Sequence, residues 1–214
     1  MKIAFLGDSI THGSGTTDES RRFTNLLQAE TGIECLNYGI GGTRIARQHT
    51  PSGNPVYDQD FVSRVPELDE TADMVFVFGG TNDYGHGDAP LGTMADRTPE
   101  TFYGALHCLY AALVERFPGK PVVVMTPLHR LNENNPAGEH GKSVPTTSLK
   151  GYVEIIREVA EYYSLPVLDL YARSGLQPAV PVIREKFVPD GLHPNDAGHV
   201  LLKDMICAFI KTLG

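Results

Sequence analysis

The sequence has few cysteines, no dense basic stretch and no long hydrophobic run, and each shortage excludes a class of protein. Its three cysteines lie far apart, which argues against a disulfide framework or a zinc site and predicts reduced, buried thiols. Lys and Arg number 18 against 26 Asp and Glu, a net charge of −8, so we expect no nucleic-acid partner. No apolar run approaches the roughly 20 residues of a membrane-spanning helix.

The first apolar run covers residues 3–6 and stops at Gly7 and Asp8. A secretory signal needs an apolar stretch of about 7–15 residues, so we expect a cytoplasmic protein with no membrane partner. Hydrophobic residues make up 41% of the sequence and charged residues 21%, which is typical of a soluble globular protein. A length of 214 residues predicts one domain over residues 1–214.

Short apolar runs alternate with longer segments in which apolar residues recur every three or four positions. The short runs suit strands buried on both faces of a parallel sheet, and the longer segments suit amphipathic helices. The alternation predicts right-handed βαβ units and an α/β fold, a three-layer α/β/α sandwich. The predicted strands are residues 3–6, 35–38, 74–78, 122–125 and 167–170, and the predicted helices are residues 21–31, 99–117, 149–163 and 199–213.

Two long segments, residues 83–98 and 129–147, do not fit this alternation. Each is rich in Gly, Pro, Asn and His and directly follows a predicted strand. Ligands of open α/β sheets bind beyond the carboxyl ends of the strands. We therefore expect both loops on the ligand side of the sheet.

The motif Gly7-Asp8-Ser9 directly follows the first predicted strand. It is compatible with an ordinary strand-to-helix turn in which Asp8 or Ser9 caps the helix. It is also compatible with a nucleophilic Ser9 at the carboxyl edge of the sheet, near a helix N-terminus. A phosphate-binding loop is disfavoured because no lysine follows the glycines as in the P-loop pattern. For Asp8 itself we expect hydrogen bonding to the backbone of the turn.

Three further motifs occur at strand ends or in loops, and each alone is compatible with an ordinary turn. Together they supply the groups that acyl transfer requires: a nucleophile, a base, a group that orients the base, and oxyanion donors. Ser9, His193 and Asp190 can fill the first three roles, and the N–H groups of Ser9 and Gly42 with the amide of Asn82 can fill the last. The motifs are residues 37–43 (NYGIGGT), 79–83 (GGTND) and 190–194 (DGLHP).

These four blocks, in this order, resemble those of the GDSL/SGNH hydrolases, and the resemblance spans about the whole chain. It implies a flavodoxin-like five-stranded parallel sheet of order 2-1-3-4-5. It also implies that Ser9 is the nucleophile, His193 the general base and Asp190 the residue that orients it. The oxyanion hole would comprise Ser9, Gly42 and Asn82. Gly42 is chosen by counting five residues from Asn37, and Gly39 and Gly41 are its glycine neighbours.

Other polar residues are weaker candidates. Arg44 and His86 are predicted to bind substrate. The remaining histidines lack the spacing of metal ligands, so we expect no metal and no cofactor. Neutral surface positions are predicted for His12, His49, His86, His129 and His140.

The sequence therefore predicts a serine hydrolase that cleaves carboxylic esters of a small-molecule substrate through an acyl-enzyme. Short acyl groups, such as acetyl on a sugar or another small polar carrier, are favoured because the ligand-side loops are polar and no amphipathic lid is evident. One alternative is a lysophospholipase or thioesterase of the same family. Another is a non-catalytic protein that binds a small ligand or nucleotide through its glycine loops.

Overall fold

The computed structural model describes residues 1–139, 142 and 146–213. Part of the predicted loop 129–147, including His140, lies outside the described residues. The strands are β1 (Lys2–Gly7), β2 (Glu34–Gly39), β3 (Met74–Phe78), β4 (Val122–Met125) and β5 (Val167–Leu168). The helices are α1 (Ser9–His12), α2 (Phe23–Thr31), α3 (Phe61–Arg64), α4 (Thr81–Gly85), α5 (Phe102–Arg116), α6 (Leu149–Tyr162), α7 (Leu170–Arg173), α8 (Pro181–Phe187) and α9 (Asp196–Ile210).

The strands form a parallel five-stranded sheet in the order β2-β1-β3-β4-β5, which confirms the predicted topology. The register brings the carboxyl ends of four strands level. Gly7 at the end of β1 pairs with Gly39 of β2 and with Phe78 of β3, and Phe78 pairs with Met125 of β4. The segments that follow these strands therefore meet at one edge of the sheet.

Helices cover both faces of the sheet because successive strand residues point to opposite sides. On one face, side chains such as Ala4, Leu6, Val75 and Val77 pack with helices α3, α5 and α6. On the other face, Ile3, Phe5, Phe76 and Phe78 pack with α2 and α9. The result is the predicted three-layer α/β/α sandwich.

Several element boundaries differ from the sequence prediction, and two of the differences have identifiable reasons. Strand β5 ends at Leu168 because the Asp169 carboxylate accepts the N–H of Ala172 at 3.3 Å and starts α7 at Leu170. Helix α9 begins three residues before the predicted start because Asn195 caps it, accepting the N–H of Gly198 at 3.1 Å. Both side chains satisfy amide groups that a helix start leaves unpaired.

The cysteines are less enclosed than the sequence suggested. Cys35, Cys108 and Cys207 are unpaired, and each is half-buried rather than buried. Burial nonetheless raises the pKa of the Cys35 thiol to about 12. Among the described residues, no helix is both long enough and apolar enough to cross a membrane.

Candidate active site

Ser9 is the first residue of α1, two positions after the end of β1 at Gly7. The turn is fixed by Asp8, whose Oδ1 accepts the N–H of Ile10 at 2.9 Å, which confirms the expected backbone role of Asp8. Asp8 is only 2% exposed, and this burial raises the pKa of its carboxyl to about 6. Ser9 is 8% exposed.

His193 joins Ser9 to Asp190 in a chain of two hydrogen bonds. The Nε2 atom of His193 lies 2.9 Å from the Oγ of Ser9, and its Nδ1 lies 2.7 Å from Oδ2 of Asp190. The carboxylate can only accept, so Nδ1 carries the proton and Nε2 is left to accept from the serine hydroxyl. This is the arrangement in which an imidazole acts as a base toward a hydroxyl.

Asp190 is itself held by the backbone of its loop. Its Oδ1 accepts the N–H of Leu192 at 2.8 Å and that of His193 at 2.7 Å, which leaves Oδ2 for the imidazole. Partial burial would raise the pKa of Asp190, but these hydrogen bonds together lower it below its ordinary value. Asp190 therefore stays ionised beside His193.

The segment that follows β2 lies against α1 and Ser9. A side-chain carbon on Gly39 would lie 2.1 Å from the backbone nitrogen of His12, so only glycine allows this contact. A side-chain carbon on Gly41 would lie 3.8 Å from Ser9 Cβ, so this glycine lies beside Ser9. Gly42 has a φ of 75°, in the left-handed region that glycine adopts without strain.

Two backbone N–H groups of the predicted oxyanion hole remain available as donors. Neither the N–H of Ser9 nor that of Gly42 donates a hydrogen bond to another described residue. Such free amides are the groups that bind an oxyanion.

Asn82 belongs to α4, which begins just after β3, and is 5% exposed. Its Nδ2 donates to the backbone oxygen of Thr43 at 2.9 Å, which places the amide next to Gly42. A side-chain amide has two N–H donors, so one remains after this bond. The predicted residues of the oxyanion hole thus lie on adjoining segments.

Asp83 and Tyr57, which are not among the predicted site residues, also shape this region. Asp83 accepts the N–H groups of Ile45 and Ala46 at 2.9 and 2.8 Å, which fastens the segment after Gly42 to α4. The position of Asp83 directly after Asn82 was the signal available in the sequence. The Tyr57 ring lies against Gly42, with ring atoms 3.3–3.4 Å from the position of a side-chain carbon there. No sequence pattern indicated that contact.

Arg44 and His86, predicted to bind substrate, contact each other. Arg44 is 3% exposed, so its guanidinium faces protein groups rather than an open cleft. Its Nη1 lies 2.9 Å from Nδ1 of His86, and its Nη2 binds the carboxylate of Asp58 at 3.2 Å and the backbone oxygen of Tyr57 at 3.0 Å. His86 is half-buried, and its Nε2 lies 3.2 Å from Oδ1 of Asn82.

The other histidines predicted at the surface are dispersed. His12 and His49 are exposed, and half-buried His129 binds Glu133 at 2.9 Å. Across the part of the chain that the structure describes, no group of three or more His, Cys, Asp and Glu side chains could hold a metal ion.

An open cavity of about 460 Å³ is lined in part by Gly41, the glycine at which a side-chain carbon would lie 3.8 Å from Ser9 Cβ. Its walls combine apolar and polar groups: His12, Ser14, Gly39, Ile40, Gly41, Val56 and Tyr57. The cavity is large enough for a small ester.

A family model and a curated relative identify one family for this chain, and solved structures are similar to it. The model of the GDSL-like lipase/acylhydrolase family matches residues 5–201. A GDSL lipase of Mycobacterium tuberculosis is 27% identical over 226 aligned positions, which cover 98% of this chain and 81% of that protein. The crystal structure of a protein from Lactobacillus plantarum is similar at a TM-score of 0.84 and 29% identity, covering 99% of this chain and 96% of that one. That of a lipase/acylhydrolase from Enterococcus faecalis is similar at a TM-score of 0.66 and 25% identity, covering 99% and 95%.

Proposed function

The chain belongs to the GDSL-like lipase/acylhydrolase family and is a carboxylic ester hydrolase, and from that premise we propose that Ser9 is its nucleophile. One observation carries the proposal: Oγ of Ser9, the His193 ring and the Asp190 carboxylate form a continuous hydrogen-bonded chain. A serine hydroxyl is a weak nucleophile unless a base takes its proton as it attacks.

In the first half of the reaction, Ser9 Oγ attacks the ester carbonyl carbon and its proton passes to His193 Nε2. The carbonyl oxygen becomes an oxyanion, which accepts hydrogen bonds from the N–H groups of Ser9 and Gly42 and the amide of Asn82. The bond between the carbonyl carbon and the alcohol oxygen then breaks. Nε2 gives its proton to the departing alcohol, and the acyl group stays on Ser9.

In the second half, water attacks the acyl carbon and gives its proton to His193 Nε2. The bond to Ser9 Oγ breaks, Nε2 returns the proton to that oxygen, and the carboxylic acid leaves. Asp190 holds Nδ1–H throughout and stabilises the imidazolium that forms twice per turnover.

For the substrate, we propose a short acyl group, such as acetyl, on a sugar or another small polar carrier. The cavity beside Ser9 supports this proposal because it is open and includes the polar side chains of His12 and Ser14. A long acyl chain is accommodated best by an extended apolar surface, since each buried methylene contributes about 0.8 kcal/mol.

The test is kcat/KM for a series of p-nitrophenyl esters from two to twelve acyl carbons, followed by acetylated sugars and acyl-CoA. We expect the acetyl ester to be fastest and acetylated sugars to be cleaved. A maximum at eight carbons or more would contradict the short-acyl proposal in favour of a lysophospholipase. Preference for acyl-CoA would favour a thioesterase. If a fluorophosphonate probe fails to label Ser9, the chain binds ligands without this chemistry.

A further inference from the structure

We propose that Arg44 and His86 are positioning residues, which orient and polarise the amide of Asn82 as an oxyanion donor. This inference rests on the proposed function, in which Asn82 stabilises the oxyanion. It replaces the direct substrate contact predicted for Arg44 and His86 with an action through Asn82.

Three hydrogen bonds link these residues in series. Nη1 of Arg44 lies 2.9 Å from Nδ1 of His86, and Nε2 of His86 lies 3.2 Å from Oδ1 of Asn82. Nδ2 of Asn82 then lies 2.9 Å from the backbone oxygen of Thr43.

The Arg44 guanidinium at one end of the series and the Thr43 backbone oxygen at the other determine which atom donates in each hydrogen bond. A guanidinium can only donate, so His86 Nδ1 must accept and the ring proton must sit on Nε2. A backbone oxygen can only accept, so the Asn82 amide must present Nδ2 to Thr43 and Oδ1 to His86. One tautomer and one amide orientation therefore satisfy the whole series.

The geometry of α4 brings His86 to Asn82. The two residues are four apart, and the N–H of His86 donates to the backbone oxygen of Asn82 at 3.0 Å, so their side chains share one side of this turn. Arg44 also contacts the residue of a second proposed oxyanion donor, because its Nη1 lies 3.4 Å from the backbone oxygen of Gly42. A single guanidinium thus braces the Gly42 segment and, through His86, the Asn82 side chain.

The charge of Arg44 gives this series an electrostatic effect as well. Hydrogen bonds in a chain polarise one another, and the effect is strongest where water is excluded. A cation at the Nδ1 end draws electrons away from the imidazole and, through Oδ1, from the Asn82 amide. The remaining N–H of Asn82 becomes a better donor to a negative oxygen. Its hydrogen bond to the oxyanion is therefore strengthened more than its hydrogen bond to the carbonyl oxygen of the neutral ester. Such an interaction raises kcat rather than affinity.

The first test compares His86→Leu with His86→Gln, using p-nitrophenyl acetate as the substrate. Leucine removes both ring nitrogens, whereas glutamine retains an N–H donor for Asn82 and an oxygen that can accept from Arg44. We expect His86→Leu to lower kcat about tenfold, less than the 10²–10³ for loss of an oxyanion donor itself, with KM within twofold of wild type. His86→Gln should recover most of kcat. The control His49→Leu removes an exposed histidine that binds the backbone oxygen of Glu100 and should leave both constants unchanged.

A double-mutant cycle with Asn82→Ala asks whether His86 acts through Asn82. We expect His86→Leu to slow the Asn82→Ala enzyme by less than twofold, because the group that His86 orients is gone. An equal loss in both backgrounds would overturn the proposal. So would a rise in KM at unchanged kcat, which would make His86 a substrate-binding residue.

A spectroscopic measurement tests the same series without using activity. In ¹⁵N NMR spectra of the whole protein at neutral pH, we expect the His86 ring in the neutral form with its proton on Nε2. A proton on Nδ1 would overturn the proposal whether or not the enzyme turns over ester. Failure of the proposed function has a different signature, since wild type and Ser9→Ala would then hydrolyse p-nitrophenyl acetate at the same rate.

Discussion

The Nε2 of His193 lies 2.9 Å from the Oγ of Ser9, although 184 positions separate the two residues in the sequence. Two local structures produce this contact. Ser9 lies at the start of α1, at the carboxyl edge of the sheet. The Asp190 carboxylate fixes the conformation of the loop before α9 by accepting two of its backbone N–H groups. The contact is the basis for the first two predictions.

Removing His193 should be at least as damaging as removing Asp190, because His193 moves the proton in both halves of the reaction. We expect kcat for His193→Ala to be no higher than that for Asp190→Ala, as in a known serine protease series. The measurement is kcat for the two purified variants with p-nitrophenyl acetate. An Asp190→Ala enzyme as fast as wild type would remove Asp190 from the mechanism.

Asp190→Asn should lower kcat severely, although the substitution hardly changes the size of the side chain. The two backbone N–H groups that bind Oδ1 would keep the amide oxygen there, so the NH₂ group would face His193 Nδ1. His193 would then carry its proton on Nε2 and could not accept from Ser9, a fault that costs about 10⁴ in kcat in another triad. Steady-state kinetics should show the loss in kcat with an unchanged circular dichroism spectrum. Near-normal kcat would contradict the assignment of the tautomer.

Asn82→Ala should lower kcat about 10²–10³-fold with little change in KM, as expected for loss of one oxyanion donor. The exposed Asn25 on α2 provides the control, since Asn25→Ala should leave kcat unchanged. An effect of Asn82→Ala confined to KM would instead make Asn82 a substrate-binding group.

The raised pKa of the buried Asp8 carboxyl predicts that the stability of the protein depends on pH. Burial raises the pKa of Asp8 from 3.8 to about 6, so between these values the folded protein binds more protons than the unfolded chain. The contribution of Asp8 to the free energy of unfolding therefore falls as pH rises through this range. At about 1.4 kcal/mol per pKa unit, the total loss is roughly 3 kcal/mol. The Asp8→Asn variant should not lose this stability as pH rises, because asparagine stays neutral and can still cap α1.

The measurement is urea unfolding of wild type and Asp8→Asn from pH 4 to pH 7. The stability of the variant relative to wild type should increase with pH. Asp18→Asn, at another capping position, is the control and should show almost no change in this difference over the range, because hydrogen bonds from Ser20 lower the pKa of Asp18 below its ordinary 3.8 and place its titration below pH 4. If the free energies of unfolding of wild type and Asp8→Asn changed with pH in parallel, the raised pKa of Asp8 would be contradicted.

The sequence predicted those parts of the molecule that depend on local pattern. Residues 74–78 and 122–125 are continuous apolar runs, and the structure has strands with these bounds because both faces are buried. The groups at the strand ends could also be placed together, since parallel strands end at one edge. The contact between Arg44 and His86 could not be predicted, because it depends on how two irregular loops, 42 positions apart, pack against each other.

The most direct test of Ser9 as the nucleophile is the turnover of p-nitrophenyl acetate by purified Ser9→Ala, beside wild type and the control Ser20→Ala. We expect Ser9→Ala to lose turnover while its melting temperature stays close to that of wild type. Ser20→Ala, which changes an exposed serine, should retain full activity. A folded Ser9→Ala enzyme with more than a trace of wild-type kcat would contradict the assignment of Ser9 as the nucleophile.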